Sequence, residues 1–250
     1  MTAELYALTH RGNAGDVAFY GEICKGARRV LELGAGSGRI LSALASARRQ
    51  IVGLELDREL LALAKRGVRA LPAAKRKSVQ LVHGDMRSFE LEPRFDRVLL
   101  PYNALYCLLS KRDALACFRA ARRALEPGGT LALDVWNAQS FHDSPPSRAN
   151  ESEEDGEPIV TLQHARHTWD VFEQTRVWRS RQRLDASYTY LPRAGGTPQK
   201  ILIRQRYYLA PEVTDLLQRA GFEIQARYGD FSGRRFAPRS PQLVVLARAR

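Results

Sequence analysis

Three glycines, Gly34, Gly36 and Gly38, follow the apolar run "VLEL" within five residues. Glycine adopts backbone conformations that other residues avoid, and it lets a ligand approach the main chain closely. Two further apolar runs end in carboxylates, "IVGL" before Glu55 and "LVHG" before Asp85. Carboxylates accept hydrogen bonds from hydroxyl and amino groups. The pattern therefore predicts a ligand that carries such donors, as a nucleoside does.

The spacing of the three glycines bears on whether the ligand carries phosphate. A dinucleotide fingerprint reads G-x-G-x-x-G, and Arg39 stands where its third glycine would be. The phosphate-binding sequence G-x-x-x-x-G-K-[ST] is also missing from the chain. The turn therefore favours a ligand without phosphate, and a nucleotide-dependent oxidoreductase stays open as an alternative.

Short apolar runs alternate with helical patterns from Val30 to Val135, which is typical of βαβ units and a parallel sheet. The predicted strands are 30–34, 51–55, 79–82, 95–100 and 130–135, and the predicted helices are 38–47, 57–71 and 111–125. Asp57 is the predicted N-cap of the second helix, and Pro127-Gly128-Gly129 is predicted to close the third. Ligands bind at the carboxyl ends of such strands, so the glycine turn, Glu55 and Asp85 are expected to lie together.

The pattern changes after Val135. Residues 137–158 are polar, acidic and contain proline, which predicts a long loop or linker. Two-residue alternation then predicts antiparallel strands, clearest at 177–184 and 201–209, with the turn sequence "PRAGGTP" between them. A helix at 211–220 and strands at 222–231 and 242–249 complete the prediction.

The predicted fold class is α/β, a Rossmann-like, doubly wound, seven-stranded sheet with an inserted antiparallel β lid. Residues 1–136 and 210–250 form the predicted core, and residues 137–209 form the predicted linker and lid.

The composition limits the partners. The 39 Lys and Arg outnumber the 27 Asp and Glu, which gives a net charge of +12. The basic residues are spread along the chain, which disfavours nucleic acid as a partner without excluding it. No apolar run reaches the roughly 20 residues of a membrane helix, and the N-terminus resembles no signal or transit peptide. We therefore predict a cytoplasmic monomer or homodimer with no membrane partner. The three cysteines fit no zinc motif, and no metal site is predicted.

Five segments carry a resemblance to a known family. The sequences "VLELGAGSGR", "VGLELD", "HGDMRSF", "FDRVLLPYNAL" and "LEPGGTLALDV", in this order and spacing, resemble the class I S-adenosylmethionine-dependent methyltransferases. The resemblance extends from residue 28 to residue 136 and over the two C-terminal strands. It implies S-adenosylmethionine as the cofactor and S-adenosylhomocysteine as the product. That cofactor has a ribose and an adenine but no phosphate, in agreement with the glycine spacing.

The resemblance also implies roles for individual residues. Glu55 would accept hydrogen bonds from the ribose hydroxyls, Asp85 would accept one from the adenine amine, and Glu32 would orient the glycine turn below the methionine end. Arg39 lies where many small-molecule members carry arginine. The full predicted set of cofactor-binding residues is Tyr20, Glu32, Gly34, Ala35, Gly36, Gly38, Arg39, Glu55, Leu56, Gly84, Asp85, Met86, Pro101, Tyr102 and Asn103.

The lid segment resembles that of small-molecule N-methyltransferases, which implies a small-molecule acceptor and favours an amine. Aromatic rings can hold an ammonium group, and arginine can pair with a carboxylate or phosphate. The predicted substrate residues are Trp136, Asn137, Arg206 and Tyr208, and the predicted catalytic residues are Tyr6, Tyr106 and His142. His10 and His142 lie nearest the expected mouth, and either could act as a base. An RNA or protein acceptor, and S-adenosylmethionine binding without catalysis, stay open.

Overall fold

Two sheets and the helices that cover them make up the fold. The computed structural model describes residues 2–144 and 156–250, so half of the predicted linker 137–158 lies outside the described residues. The helices are α1 (Thr2–Thr9), α2 (Asp16–Ile23), α3 (Arg39–Leu44), α4 (Arg58–Arg69), α5 (Ala73–Arg76), α6 (Lys111–Ala124), α7 (Gln139–Asp143) and α8 (Ala210–Arg219). The strands are β1 (Arg29–Leu33), β2 (Gln50–Glu55), β3 (Val79–His83), β4 (Phe95–Leu100), β5 (Leu125–Trp136), β6 (Val160–His164), β7 (His167–Trp178), β8 (Arg183–Pro192), β9 (Gln199–Arg206), β10 (Phe222–Tyr228) and β11 (Gln242–Ala249).

The main sheet has seven strands in the order β10-β11-β5-β4-β1-β2-β3. Strands β1 to β5 pair in parallel, whereas β11 is antiparallel to both β5 and β10. The predicted doubly wound, seven-stranded sheet is therefore confirmed. The strand order reverses between β1 and β4, and ligands of such sheets bind at the carboxyl ends beside this reversal.

Alternating side chains on the central strands build two apolar layers, one on each face of the sheet. In β4, Val98 and Leu100 pack in the cluster that holds α6 and α8, whereas Leu99 packs in the cluster that holds α2 and α3. In β1, Leu31 and Val30 divide in the same way. Both faces are buried, which is why the strands read as continuous apolar runs in the sequence. The two layers fix the strand ends that carry the site.

Of the two predicted helix boundaries, the start of α4 is confirmed and the end of α6 is not. The Asp57 carboxylate accepts hydrogen bonds from the amides of Glu59 and Leu60 at 2.8 and 2.9 Å, so the predicted N-cap of α4 is confirmed. Helix α6 ends at Ala124, and the segment 127–129 lies inside β5. That segment was predicted to close the helix, but the strand begins at Leu125, two residues before Pro127.

The second sheet has four antiparallel strands in the order β6-β7-β8-β9, between α7 and α8. The turn predicted at "PRAGGTP" connects β8 to β9. The strand predicted at 177–184 was wrong, because a 3₁₀ turn at Arg179–Arg181 separates β7 from β8 there. Gln182 closes this turn in the left-handed region, with φ of 51°. The division of the chain at residues 137 and 209 into core and lid stays a prediction.

The N-terminal helix α1 connects the two sheets. Leu5 is fully buried in the apolar cluster of the second sheet, together with Leu162 and Tyr190. Glu4 on the same helix pairs with Arg66 of α4 and with His164 of β6. Within 2–144 and 156–250, no helix combines the length and apolar character that crossing a membrane requires.

Candidate functional site

A cavity of about 620 Å³ lies at the carboxyl ends of β1, β2 and β4 and is closed on one side by α1. This volume is within the range of small-molecule sites. The cavity brings together these members of the predicted cofactor set: Glu32, Gly34, Ala35, Gly36, Arg39, Glu55, Leu56, Gly84, Asp85, Met86, Pro101 and Tyr102. The predicted catalytic residue Tyr6 also lines the cavity.

The glycine turn presents bare backbone to this cavity. Gly36 has a φ of +56°, and a Cβ built on it would have no atom within 4 Å. Gly38, at φ +81°, has a different function, since a Cβ there would lie 3.1 Å from the Cβ of Ala64. Gly38 therefore allows α4 to pack against the turn and does not line the cavity.

Glu55 ties the glycine turn to the end of β2. Its Oε2 accepts a hydrogen bond from the Gly36 amide at 2.7 Å, and its Oε1 accepts one from the Asp57 amide at 2.8 Å. Glu55 is only 8% exposed, yet it lines the cavity. Each carboxylate oxygen can accept a second hydrogen bond. The Glu55 carboxylate can therefore position the turn and also accept from a ligand hydroxyl.

Glu32 is a buried carboxyl with spare bonding capacity. It lies beneath the glycine turn and lines the cavity, and its Oε2 has no hydrogen-bond partner among the described residues. Burial raises the pKa of Glu32 to about 8, although the nearby Arg39 opposes this rise. A cationic ligand group beside Oε2 would supply the missing partner and favour the ionised carboxylate.

Arg39 lines the cavity but is committed to a protein partner. Its two terminal nitrogens donate to the two oxygens of Asp16 at 2.9 and 2.6 Å, and Asp16 is almost fully buried. Asp16 also accepts from the amide of Asn13 at 3.0 Å. This bidentate pair holds the start of α2 beside the glycine turn. Asp16 was not identified from the sequence.

Asp85 and Met86 lie where β3 ends and both line the cavity. The guanidinium of Arg87 donates to both oxygens of Asp85, with contacts between 2.6 and 3.0 Å. This hydrogen bonding holds the pKa of Asp85 below its ordinary value. Asp85 is therefore an ionised acceptor in the cavity wall that follows β3.

The loop after β4 is held by Asp134, which was not predicted as a site residue. Tyr102 and Asn103 both adopt left-handed backbone, with φ of 52° and 59°. Asp134 Oδ1 accepts from the Tyr102 amide at 2.9 Å and from the Tyr20 hydroxyl at 2.5 Å. Asn103 Oδ1 accepts from the Trp136 amide at 2.5 Å. A lone carboxylate inside the apolar run "LALDV" was the available sequence signal.

Tyr20 and Asn103 therefore support the cavity wall and do not line it. Strained backbone of this kind persists only where surrounding contacts hold it, and it is frequent at functional sites. Here those contacts are the hydrogen bonds to Asp134 and from Trp136.

Aromatic rings close the end of the cavity nearest to α1. The Tyr6 ring stacks on the His10 imidazole with centroids 4.1 Å apart. The imidazole also meets the edges of Tyr188 at 4.9 Å and Tyr102 at 6.5 Å. Tyr188 lies on β8, so the second sheet supports the His10 imidazole without lining the cavity itself. Rings in this arrangement provide the electron-rich faces that attract a cation.

The structure does not bring the predicted catalytic residues Tyr106 and His142 to the cavity. The Tyr106 hydroxyl donates to the Trp136 carbonyl at 2.5 Å, and His142 Nδ1 lies 2.9 Å from the hydroxyl oxygen of Tyr207. Both groups are used where α7 and β5 pack against the segment that follows β9. The Tyr106 hydroxyl and His142 Nδ1 are therefore engaged within the protein, away from the cavity.

The predicted substrate residues also lie away from the cavity. Trp136 packs on Phe141, with ring centroids 5.4 Å apart. The Asn137 amide donates to the carbonyls of Pro238 and Ser240. Both residues fix the end of β5 to the C-terminal loop.

Arg206 and Tyr208 likewise form part of the junction between the second sheet and the core. Arg206 donates to the Arg181 carbonyl and to the Gln182 side chain, at 3.0 and 2.7 Å. The Tyr208 hydroxyl donates to the Leu108 and Ser110 carbonyls, at 2.5 and 2.9 Å. The two-residue alternation identified strand faces here but not which face meets the cavity.

The lining of the cavity is rich in carboxylates. Five carboxyl groups stand against two guanidinium groups, those of Arg39 and Arg87, and both guanidiniums are paired with aspartates. The five are Glu32, Glu55, Asp57, Asp85 and Asp113. Phosphate is repelled by such a lining, whereas a ligand with a sulfonium and an ammonium group is attracted. No three His, Cys, Asp or Glu side chains in the described ranges are arranged to hold a metal ion.

The residues present fit S-adenosylmethionine. The unpartnered Oε2 of Glu32 suits an ammonium group, and the open face of Gly36 leaves room beside the backbone. At the mouth, Leu56 is 57% exposed and Leu109 is 44% exposed, and both line the cavity. An aromatic base lying between these two leucines would remove apolar surface from water.

Comparison with known proteins gives consistent matches. Residues 30–129 match the family described as a methyltransferase domain. The chain is 25% identical to the cypemycin N-terminal methyltransferase of a Streptomyces species over 221 residues, which are 88% of this chain and 82% of that protein. It is 28% identical to dTDP-3-amino-3,6-dideoxy-alpha-D-glucopyranose N,N-dimethyltransferase of Streptomyces fradiae over 142 residues, 54% of this chain and 52% of that one.

A solved structure matches nearly the whole chain. The CcbJ methyltransferase of Streptomyces caelestis superposes with a TM-score of 0.79 at 27% identity, over 96% of this chain and 98% of the other. The match includes both the seven-stranded sheet and the region of the second sheet.

Proposed function

We propose that this chain, which is a class I S-adenosylmethionine-dependent methyltransferase, methylates the nitrogen of a small-molecule amine. The observation that carries the proposal is the carboxylate-rich cavity, which is closed by aromatic rings at one end. Amines are cationic at neutral pH, and both features attract cations.

The relatives support an amine acceptor. One is named as an N-terminal methyltransferase and another as the N,N-dimethyltransferase of an amino sugar nucleotide. The first name gives the N-terminus as the position of methylation, and the second names nitrogen as the acceptor atom. We extend this common chemistry to the present chain, and its cytoplasmic location and oligomeric state stay predictions.

Different residues of the cavity bind the cofactor and shield the acceptor. When bound, S-adenosylmethionine supplies an electrophilic methyl carbon on a sulfonium. Glu55 accepts from ribose hydroxyls, Asp85 accepts at the adenine end, and Glu32 faces the ammonium of the methionine end. The loop at Tyr102 and the rings of Tyr6 and His10 shield the acceptor from water. Alignment and exclusion of water supply most of the rate enhancement of such a displacement.

The first test is a panel of acceptors, with S-adenosylhomocysteine measured as product. We expect turnover with at least one of dialanine, glucosamine and n-butylamine, and none with N-acetyl-dialanine, which lacks the free amine. The +12 net charge favours RNA as the rival acceptor, so total RNA forms another arm. Methylation of RNA alone, weakening steeply between about 50 and 200 mM salt, would contradict the proposal.

Cofactor binding should release a proton from Glu32. With its pKa raised to about 8, Glu32 is largely protonated at pH 7 in the free protein. An ammonium beside it favours the carboxylate, so we expect release of up to one proton near pH 7 and none well above pH 8. Titration calorimetry in phosphate and in Tris measures this release as the dependence of the binding enthalpy on the buffer.

The matched variant for this measurement is Glu32→Gln, which keeps the shape of the side chain and cannot ionise. Its binding enthalpy should show less dependence on the buffer than that of the wild type. If both proteins show the same dependence, the released proton comes from another group.

A further inference from the structure

His10 occupies a defined place at the acceptor end of the cavity. It directly follows α1, lines the cavity, and lies between the rings of Tyr6 and Tyr188. Its Nδ1 is 3.0 Å from the carbonyl oxygen of Tyr6. The stacked ring and this contact together fix the orientation of the imidazole.

The contact with Tyr6 also determines the tautomer. A carbonyl oxygen can only accept a hydrogen bond, so Nδ1 must carry the proton. In the neutral imidazole, Nε2 then holds the lone pair. The described residues provide no hydrogen-bond partner for Nε2. The ring therefore offers one proton acceptor in the wall of the cavity.

The titratable groups around His10 come from three other elements. Tyr188 on β8 and Tyr102 after β4 face the imidazole edge-on, and Tyr6 lies against its face. Glu173 on β7 is the cross-strand partner of Tyr188, and its charge acts on both Tyr188 and His10. Glu173 is exposed to solvent.

We propose that Nε2 of His10 takes the proton from the acceptor ammonium, and that the Glu173 carboxylate beside it directs the cationic acceptor to this end of the cavity. The proposal rests on the proposed function, since it requires an amine acceptor. It assigns a base to the reaction and gives the second sheet a part in recognising the acceptor.

The proton transfer balances within the cavity. The N–H bond of the ammonium breaks, its electron pair stays on nitrogen as the lone pair that methyl transfer requires, and an Nε2–H bond forms. His10 becomes an imidazolium, and the exposed Glu173 stabilises this charge until the proton passes to water. A base for a bound ammonium is useful because an alkyl amine, with a pKa of about 10, is mostly protonated at neutral pH.

The surroundings of His10 keep its imidazole neutral, so that Nε2 can accept a proton. Burial lowers its pKa, whereas the hydrogen bond to the Tyr6 carbonyl and the charge of Glu173 act in the opposite direction and are weaker. The free imidazole has a pKa of about 6.5. His10 is therefore neutral at pH 7 and becomes charged only in more acidic solution.

The pH dependence of kcat/KM distinguishes the two possible routes of the acceptor. If His10 deprotonates the bound ammonium, log kcat/KM rises below about pH 6.5 and is then level up to the pKa of the amine. If the enzyme takes neutral amine from solution, log kcat/KM rises with unit slope at every pH below the pKa of the amine. We expect the level interval for the wild type, with the fastest amine of the panel.

Replacing His10 should convert one profile into the other. We expect His10→Gln to lower kcat by at least about tenfold and to replace the level interval with a unit slope. The control is His167→Gln, at an exposed histidine of the β6–β7 hairpin, which should keep the wild-type profile. Glu173→Gln should move the acid limb to lower pH, because the charge that raises the His10 pKa is lost.

A measurement that needs no turnover tests the base directly. Nitrogen-15 NMR of the wild-type protein should show His10 as the Nδ1–H tautomer at pH 7, with a pKa below the ordinary histidine value of about 6.5. An Nε2–H tautomer, or an imidazolium at pH 7, would overturn the proposal. So would a His10→Gln enzyme that keeps the level interval.

The experiments distinguish a failure of the proposed amine methylation from a failure of the His10 assignment. If no amine of the panel is methylated while S-adenosylmethionine still binds, the proposed function fails, and the NMR result still decides the state of His10. If amines are methylated and His10→Gln matches the wild type in kcat and pH profile, the assignment of His10 alone is overturned.

Discussion

Asp134→Ala is expected to reduce the free energy of unfolding by about 2–4 kcal/mol, because it leaves two buried donors without an acceptor. These donors are the Tyr20 hydroxyl and the Tyr102 amide, which both bond to Asp134 Oδ1. Asp134 is fully buried, so water cannot replace the carboxylate without a rearrangement. Urea denaturation followed by circular dichroism measures the change.

The same substitution should impair cofactor binding, since Tyr102 keeps its left-handed backbone with the help of Asp134. The control is Asp215→Ala, which removes an exposed carboxylate paired with Arg219 and should change stability by no more than about 0.5 kcal/mol. If Asp134→Ala unfolds at the same urea concentration as this control, Asp134 does not hold the loop.

The effect of Asp134→Ala should depend on pH in a definite direction. Burial raises the pKa of Asp134 to about 6, so the folded protein binds this proton more tightly than the unfolded chain does. The contribution of this group to stability is therefore full at low pH and is lost as the pH rises through 6. The gap in stability between the wild type and Asp134→Ala should be larger at pH 5 than at pH 8.

The main sheet could be predicted because its strands are buried on both faces. Runs such as Val98–Leu100 are apolar, and glycine turns or helix caps follow several of the strands, as Asp57 follows β2. The second sheet was harder to predict. The alternation at Trp178 continues through the turn, and the charged residues Arg179–Arg181 fit both an exposed strand face and a turn.

The cofactor half of the site could be predicted for a similar reason. Each of its groups directly follows a strand, so the position of Glu55 or Asp85 along the chain determines its position in space. The acceptor half depends on contacts between distant segments. His10 and Tyr188 meet only because α1 packs between α4 and the second sheet, and neither residue lies in a local pattern that shows this.

His142 and Arg206 were predicted to belong to the site, but the fold places both of them elsewhere. Their residue types suit a base and an anion partner, but neither residue lines the cavity, and His142 Nδ1 and one terminal nitrogen of Arg206 bond to Tyr207 and Gln182. A residue type that could do chemistry indicates a site only when the fold brings the residue to the cavity and leaves a reactive atom free. His10 Nε2 and Glu32 Oε2 meet this condition, and both line the cavity.

Glu55→Ala is expected to weaken S-adenosylmethionine binding by about 1–3 kcal/mol, which is a factor of roughly 5 to 150 in Kd. The loss has two sources in the structure. The carboxylate no longer accepts from the ligand, and the Gly36 amide loses its 2.7 Å hydrogen bond, which loosens the turn. Titration calorimetry with S-adenosylhomocysteine measures the affinity without turnover.

Two further variants separate these sources. Glu55→Gln keeps an oxygen that can accept from the Gly36 amide but loses the charge, so it should fall between the wild type and Glu55→Ala. Glu59→Ala removes an exposed carboxylate on α4, four residues further along the chain, and should bind like the wild type. If Glu55→Ala binds as tightly as Glu59→Ala, Glu55 has no part in holding the ribose. If Glu55→Gln binds as weakly as Glu55→Ala, the charge of Glu55 matters more to binding than its support of the glycine turn.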